Sequence, residues 1–132
     1  MRQQTDSTAQ AKPQKMAKAA LQAFFNITSR WDLSAAQQRI LLGGPAESTF
    51  YAWKRHQSAK QLNRDTLDRI SNIMGIHKAL NILLSSPHAA NSWLKKPNTA
   101  ALFAGDTALN RMLGGSVEDI AVVRRYLDAQ RG

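Results

Sequence analysis

Three histidines, two pairs of near-neighbour carboxylates and 18 lysines and arginines are the groups in this 132-residue sequence that could do chemistry. His56, His77 and His88 stand in unrelated contexts, with no carboxylate or second histidine at metal-ligand spacing. His77 falls in an apolar run and reads as a satisfied, semi-buried histidine rather than a base. Asp65 and Asp68 are flanked by Arg64 and Arg69, the pattern of helix N-terminal charge and surface pairing, and Glu118 with Asp119 suits the first turn of a helix in the same way. The chain has no cysteine, which excludes disulfides, thiolate zinc sites and cysteine nucleophiles. It also lacks a phosphate-cradling glycine loop and a nucleophile elbow. No enzyme activity, metal or cofactor is therefore expected.

The basic residues carry the positive signal. With 9 Asp and Glu against the 18 cations the formal charge is +9, which favours a polyanionic partner through counterion release; a merely solvated basic surface is the alternative. Residues 1–60 hold nine cations and three anions, and residues 61–132 hold nine and six, so the first half is the more electropositive. Ser48, Thr49, Tyr51, Lys54, Arg55 and Lys60 form the candidate DNA-binding set within it. A helix over 46–56 turns by about 100° per residue and places Ala46, Phe50 and Trp53 on one face. Ser48, Tyr51, Ala52 and Arg55 then lie opposite. Arg55 could chelate a guanine, the hydroxyls could donate to bases or phosphates, and Lys54 and Lys60 could neutralise backbone charge.

Presenting that face requires a helix on a sharp turn. Ser34 followed by Gln37 is a capping-box pattern ahead of a short helix with Ala36, Ile40 and Leu41 as its apolar face; Gly43 and Gly44 stop it and Pro45 restarts the chain. Two short helices across Gly43-Gly44-Pro45 make a helix-turn-helix pattern, with a plain three-helix junction as the alternative. Phe50 and Trp53 read as core. Upstream, Pro13 opens a helix bearing Met16, Ala20, Leu21, Phe24 and Phe25 and ending near Arg30. Downstream, Asn63 caps a pattern carrying Leu67, Ile70, Ile73 and Met74, and the spacing favours two helices divided at Gly75.

Beyond Pro87 the texture shifts to shorter units: a helical turn over 90–94, the Lys96-Pro97-Asn98 turn and a loop through Gly105. Asp106 is the expected cap of a short helix ending at Gly114 and Gly115. Ser116 and Asp119 open a last helix with Ile120, Val123 and Leu127 inward, leaving Arg124, Arg125, Asp128 and Arg131 outside. The reading is an all-α chain in three parts: a mobile polar tail over 1–12, a helix-turn-helix region over 13–85 and a small helical module over 86–132. No apolar run approaches a membrane span or a signal segment, and a reducing cytoplasm suits a chain without cysteine.

The ordered set Trp93-Leu94, Pro97-Asn98, Gly105, Leu109, Leu113, Gly115, Val123 and Tyr126-Leu127-Asp128-Ala129 resembles the toxin-binding segment of the Xre/MbcA/ParS antitoxin family. Arg69, Gly75, Ala79 and Leu80 look like that family's central helices, and the N-terminal half is similar to its Xre-like DNA-binding part. Ala108 departs from the pattern, which places proline there. The resemblance implies an antitoxin whose partner is a RES-domain toxin that consumes NAD, held inactive by covering its active-site entrance. It further implies repression of the antitoxin's own operon by binding operator DNA; because helix-turn-helix readers double their contacts across two half-sites, a homodimer within a larger toxin–antitoxin complex is expected. On this reading Trp93, Arg124, Arg125, Asp128, Gln130, Arg131 and Gly132 contact the toxin, the carboxylates of Asp128 and Gly132 standing in for substrate phosphates. A solitary phage-type repressor with a C-terminal dimerisation module is the competing reading. A nucleoid-type architectural protein is weaker, because it leaves the last module without work.

Overall fold

The computed structural model describes residues 2–132, with side chains from Ala11 onward, and contains seven α-helices and no strand among them. The first helix, α1 (Arg2–Arg30), has Pro13 in its interior. It therefore starts well before the proline expected to open it, and residues 2–12, read from composition as a tail, continue the helix; Met1 lies outside the described residues. Pro13 removes one N–H from the ladder, while alanine and glutamine on either side of it propagate a helix readily. The buried stripe of α1 is Ala17, Leu21, Phe24, Phe25, Ile27 and Thr28, whereas Met16, expected inside, is 58% exposed.

Ser34 and Gln37 form the expected capping box at α2 (Ala35–Leu41), the serine hydroxyl accepting from Gln37 N–H at 3.1 Å and the glutamine side chain accepting from Ser34 N–H at 2.9 Å. The inward face differs from expectation. Gln38, Leu41 and Leu42 are buried, while Ala36 and Ile40 are exposed, because a hydrogen-bonded glutamine takes the inner position. Gly43, at φ +98°, turns the chain toward α3 (Glu47–His56); a side chain there would be strained and would press on the Arg69 guanidinium. Ala46 is the exposed cap residue of α3 rather than part of its buried face.

Asn63 caps α4 (Arg64–Leu83), its side chain accepting from Thr66 N–H at 2.8 Å. The helix runs unbroken through Gly75. The expected division fails because this glycine serves a close approach, not a stop: a Cβ would sit 2.4 Å from Arg124 Nε. After α5 (Pro87–Ser92) and a 3₁₀ turn at Trp93–Lys95, a loop is closed by an isolated antiparallel bridge between Pro97 and Thr107. The cap of α6 (Ala108–Met112) is Thr107, not Asp106. The aspartate instead accepts from Thr107 N–H at 2.7 Å and Asn110 Nδ2 at 2.8 Å, tightening the turn beneath the cap. Ser116 and Asp119 form the predicted capping box of α7 (Val117–Gln130), and Ile120, Val123 and Leu127 point inward as expected.

α4 is the central element, packed against α1 and against α7. One apolar core runs from Ala17 to Leu127 through Ile70, Ile73, Ile76 and Leu80 of α4. The change of texture near residue 85 thus marks shorter local units over a core that continues beneath them.

Candidate DNA-reading helix and partner-binding module

Phe50 anchors α3. It is buried, meets Phe25 of α1 at a ring distance of 6.0 Å and carries Tyr51 edge-on at 5.1 Å. Trp53 is half-buried against the same core. A polar relay completes the footing: the Thr28 hydroxyl donates to the Phe24 carbonyl at 2.8 Å, Gln38 Nε2 donates to that hydroxyl at 3.0 Å, and Lys54 Nζ donates to Gln38 Oε1 at 2.8 Å. Thr28 and Gln38 are both at most 1% exposed, and a buried polar group is stable only when satisfied in this way. The relay joins α1, α2 and α3. Lys54, expected to neutralise backbone charge, has its ammonium committed to this relay, 5.9 Å from the Phe50 ring centre. Arg39 Nε donates to the Pro45 carbonyl at 2.6 Å and braces the turn.

The outward face of α3 keeps Ser48, Thr49, Tyr51, Ala52 and Arg55 exposed, Tyr51 by 48%, and Lys60 is exposed in the following loop. Among the described residues neither Arg55 nor Lys60 takes part in an ion pair. These side chains are available to a groove and its phosphates.

Arg69 was read as a surface partner of the neighbouring aspartates. It is 6% exposed. Its Nε donates to Asp65 at 2.7 Å, one terminal nitrogen reaches the Ile40 carbonyl at 3.4 Å, and the other donates to the Gly115 carbonyl at 2.8 Å. One guanidinium thereby ties the end of α2 to the entry of α7. The signal was in the spacing, since Arg69 shares a stripe with Ile73, Ile76 and Leu80 at steps of four, three and four. Arg64–Asp68, by contrast, is the exposed pair expected, at 3.5 Å.

In the C-terminal module Phe103 is buried between Trp93, at 6.0 Å, and Tyr126, at 5.2 Å, both edge-on and both half-buried. Arg124, expected outside, crosses Gly75 and reaches the Ser71 carbonyl and the Asn72 side chain, each at 3.5 Å. The reason is helical spacing, as Arg124 follows Ile120 by one turn and so borders the buried stripe. Asp128 lies between Arg124 and Arg131, 3.5 Å from each, and Arg125 pairs with Glu118. Gln130, Arg131 and Gly132 are exposed.

Three groups titrate away from their ordinary values. Burial, and then the charge of Arg30, lowers His77, which lies against Trp31 at a ring distance of 6.4 Å. Hydrogen bonds from Asn110 and Thr107 lower Asp106, and those from the backbone and hydroxyl of Ser116 lower Asp119. Among the described residues no cluster of three histidines or carboxylates could hold a metal, and no helix is long and apolar enough to cross a membrane.

Residues 11–75 match the family described as the antitoxin Xre-like helix-turn-helix domain, and residues 79–132 match the antitoxin Xre/MbcA/ParS C-terminal toxin-binding domain. The chain belongs to the Xre/MbcA/ParS antitoxin family. The antitoxin is also similar to the uncharacterized protein y4oB of Sinorhizobium fredii (strain NBRC 101917 / NGR234), at 49% identity over 114 residues, 86% of this chain and 85% of the relative. Both matched segments meet inside α4, so the helix at the centre of the core is shared by the DNA-binding and toxin-binding parts. The antitoxin is accordingly a regulatory protein with a helix-turn-helix for DNA and a C-terminal domain for a toxin.

Proposed function

We propose that the antitoxin neutralises an NAD-consuming toxin of the RES type by docking its C-terminal module over the active-site entrance. It also represses its own operon in the cytoplasm, as a homodimer reading two half-sites with α3. The observation that carries the toxin half of this reading is the aromatic row. Trp93 and Tyr126 rest on buried Phe103 and keep part of their surface accessible, and Gln130 follows Tyr126 one helical turn later. Large amphipathic rings on a rigid base are typical anchors of protein interfaces. Arg125, Asp128 and Arg131 supply polar groups around them. The DNA half is supported by the exposed Ser48, Thr49, Tyr51 and Arg55 on a helix held from behind.

Leu127 is only 2% exposed, so a test of α7 must spare it. Deleting Ala129–Gly132 should release growth arrest and NAD loss when the antitoxin is co-expressed with the toxin from the neighbouring gene, while operator binding persists. A truncated chain that folds, still protects and preserves NAD would remove the tail from the inhibitory surface and leave it to Trp93, Phe103 and Tyr126. For the other half, Arg55→Ala should cost about 1–3 kcal/mol of operator affinity and relax sequence preference in gel-shift titration. Unchanged affinity and preference would refute this choice of reading face.

A further inference from the structure

Ala11, Gln14, Lys15 and Lys18 follow one another at steps of three, one and three, which aligns them in a single stripe of α1. The fold sets this stripe opposite Ser58, Ala59 and Lys60, in the loop that begins after α3 ends at His56. Together they line a notch of about 410 Å³ bordered by three lysines from two segments. No carboxylate lines it, and among the described residues no ion pair engages Lys15, Lys18 or Lys60. The loop adds donors, because among the described residues the N–H groups of Ser58, Ala59 and Lys60 have no backbone acceptor. Lysines of a folded domain gathered around a concave, anion-free wall repel one another, and an anionic ligand removes that cost.

We propose that this notch is a phosphate clamp for the DNA backbone, engaging the strand that flanks the groove entered by α3. The proposal rests on the DNA reading above and adds α1 to the interface. Lys15, Lys18 and Lys60 would grip phosphate oxygens with the loop N–H groups beside them, a sequence-independent contact that sets register while Arg55 reads bases. Lys54 is absent from the clamp because its ammonium is held by Gln38. α1 thus has two separate duties along its length: an apolar stripe that seats α3 through Phe25, and a basic stripe that grips the backbone.

The test is the salt dependence of binding to two fluorescein-labelled duplexes, one from the DNA immediately upstream of the antitoxin's own gene and one of random sequence. Each phosphate contact contributes about 0.9 to the slope of log affinity against log salt. The variant Lys15→Gln/Lys18→Gln should lower that slope by about 1–2 on both duplexes, with an unchanged melting temperature and an unchanged preference for the upstream duplex. A charge-matched control, Lys78→Gln/Lys96→Gln, should move it by much less. Equal slopes for the two double variants would overturn the clamp and reduce the effect to net charge. An unchanged DNA slope together with lost binding to anionic lipid vesicles or to polyglutamate would overturn it in favour of another polyanion. If the wild-type antitoxin binds no duplex at any salt concentration, the DNA reading itself fails. If the wild type binds and responds to Arg55→Ala but not to the lysine pair, only the clamp fails.

Discussion

α3 and α7 carry the faces proposed above for DNA and for the toxin, and they are held in opposite ways. α3 buries one residue, Phe50, and leans on a relay of hydrogen bonds through Lys54, Gln38 and Thr28. α7 buries Ile120, Val123 and Leu127 against α4 and adds Arg124 across Gly75. The difference follows from what each surface must leave free. A reading helix that enters a groove keeps most of its circumference bare, so its orientation depends on a single aromatic anchor and on directional hydrogen bonds. A helix that presents only an edge to another protein can bury a full stripe, because Tyr126 on its border and Trp93 beside it supply the accessible part.

That contrast is open to attack at its strongest point first. Phe50→Ala should cost about 3–5 kcal/mol, the range for losing a buried aromatic, and should abolish operator binding because α3 has no other buried side chain. Thermal melts alongside gel shifts check this. A variant that melts like the parent but no longer binds DNA would place Phe50 at the interface and undo the distinction between anchor and face.

Arg69 joins the two regions, so its loss should weaken both. Arg69→Met keeps much of the volume but leaves the carbonyls of Ile40 and Gly115 without this donor. The expected loss is about 1.5–3 kcal/mol, the range for hydrogen bonds to a charged group. Amide hydrogen exchange should show faster opening at both α2 and the start of α7. Faster exchange confined to one of them would show that the guanidinium serves that region alone.

A smaller effect sharpens the account of the α4–α7 seam. Alanine is favoured over glycine inside a helix by about 1 kcal/mol, yet at Gly75 its methyl would displace Arg124. Gly75→Ala should therefore gain little in the parent and about 1 kcal/mol more in an Arg124→Ala background. Additive effects in denaturant titrations of the double-mutant cycle would mean that the arginine does not require the glycine.

The smallest expected effect is one of pH. His77 titrates below its ordinary value of 6.5 in the folded chain because burial, and then Arg30, disfavours its charged form. As pH falls the unfolded chain takes up this proton first, so the contribution of His77 is complete above its unfolded value and is lost through the lower, folded one. Melting temperature should decline as pH falls through the ordinary histidine value of 6.5 and below it, and His77→Gln should flatten part of that decline. An identical profile in the variant would assign the acid sensitivity to other groups.

Much of this architecture was legible from the chain alone. The all-helical class, the capping boxes Ser34–Gln37 and Ser116–Asp119, the cap at Asn63 and the inward stripe Ile120–Val123–Leu127 depend on contacts within a few residues, and such contacts leave regular patterns of type and spacing. The exposed face of α3 was equally readable, since a helix with Phe50 turned inward must turn Ser48, Tyr51 and Arg55 out. Spacing sets Arg69 and Arg124 beside buried stripes, but only the tertiary structure supplies the partners that hold these cations and Lys54. Arg69 is buried because Gly115, 46 residues away, brings a carbonyl to it, and Lys54 is diverted because α2 turns Gln38 inward. Arg124 crosses α4 at the one position without a Cβ, so Gly75 is a seat for a side chain and not the end of a helix. Charge type says that a group must be solvated or partnered. Only the convergence of distant segments says which, and that is why Arg69 is partnered in the interior while Arg55 and Lys60 stay exposed.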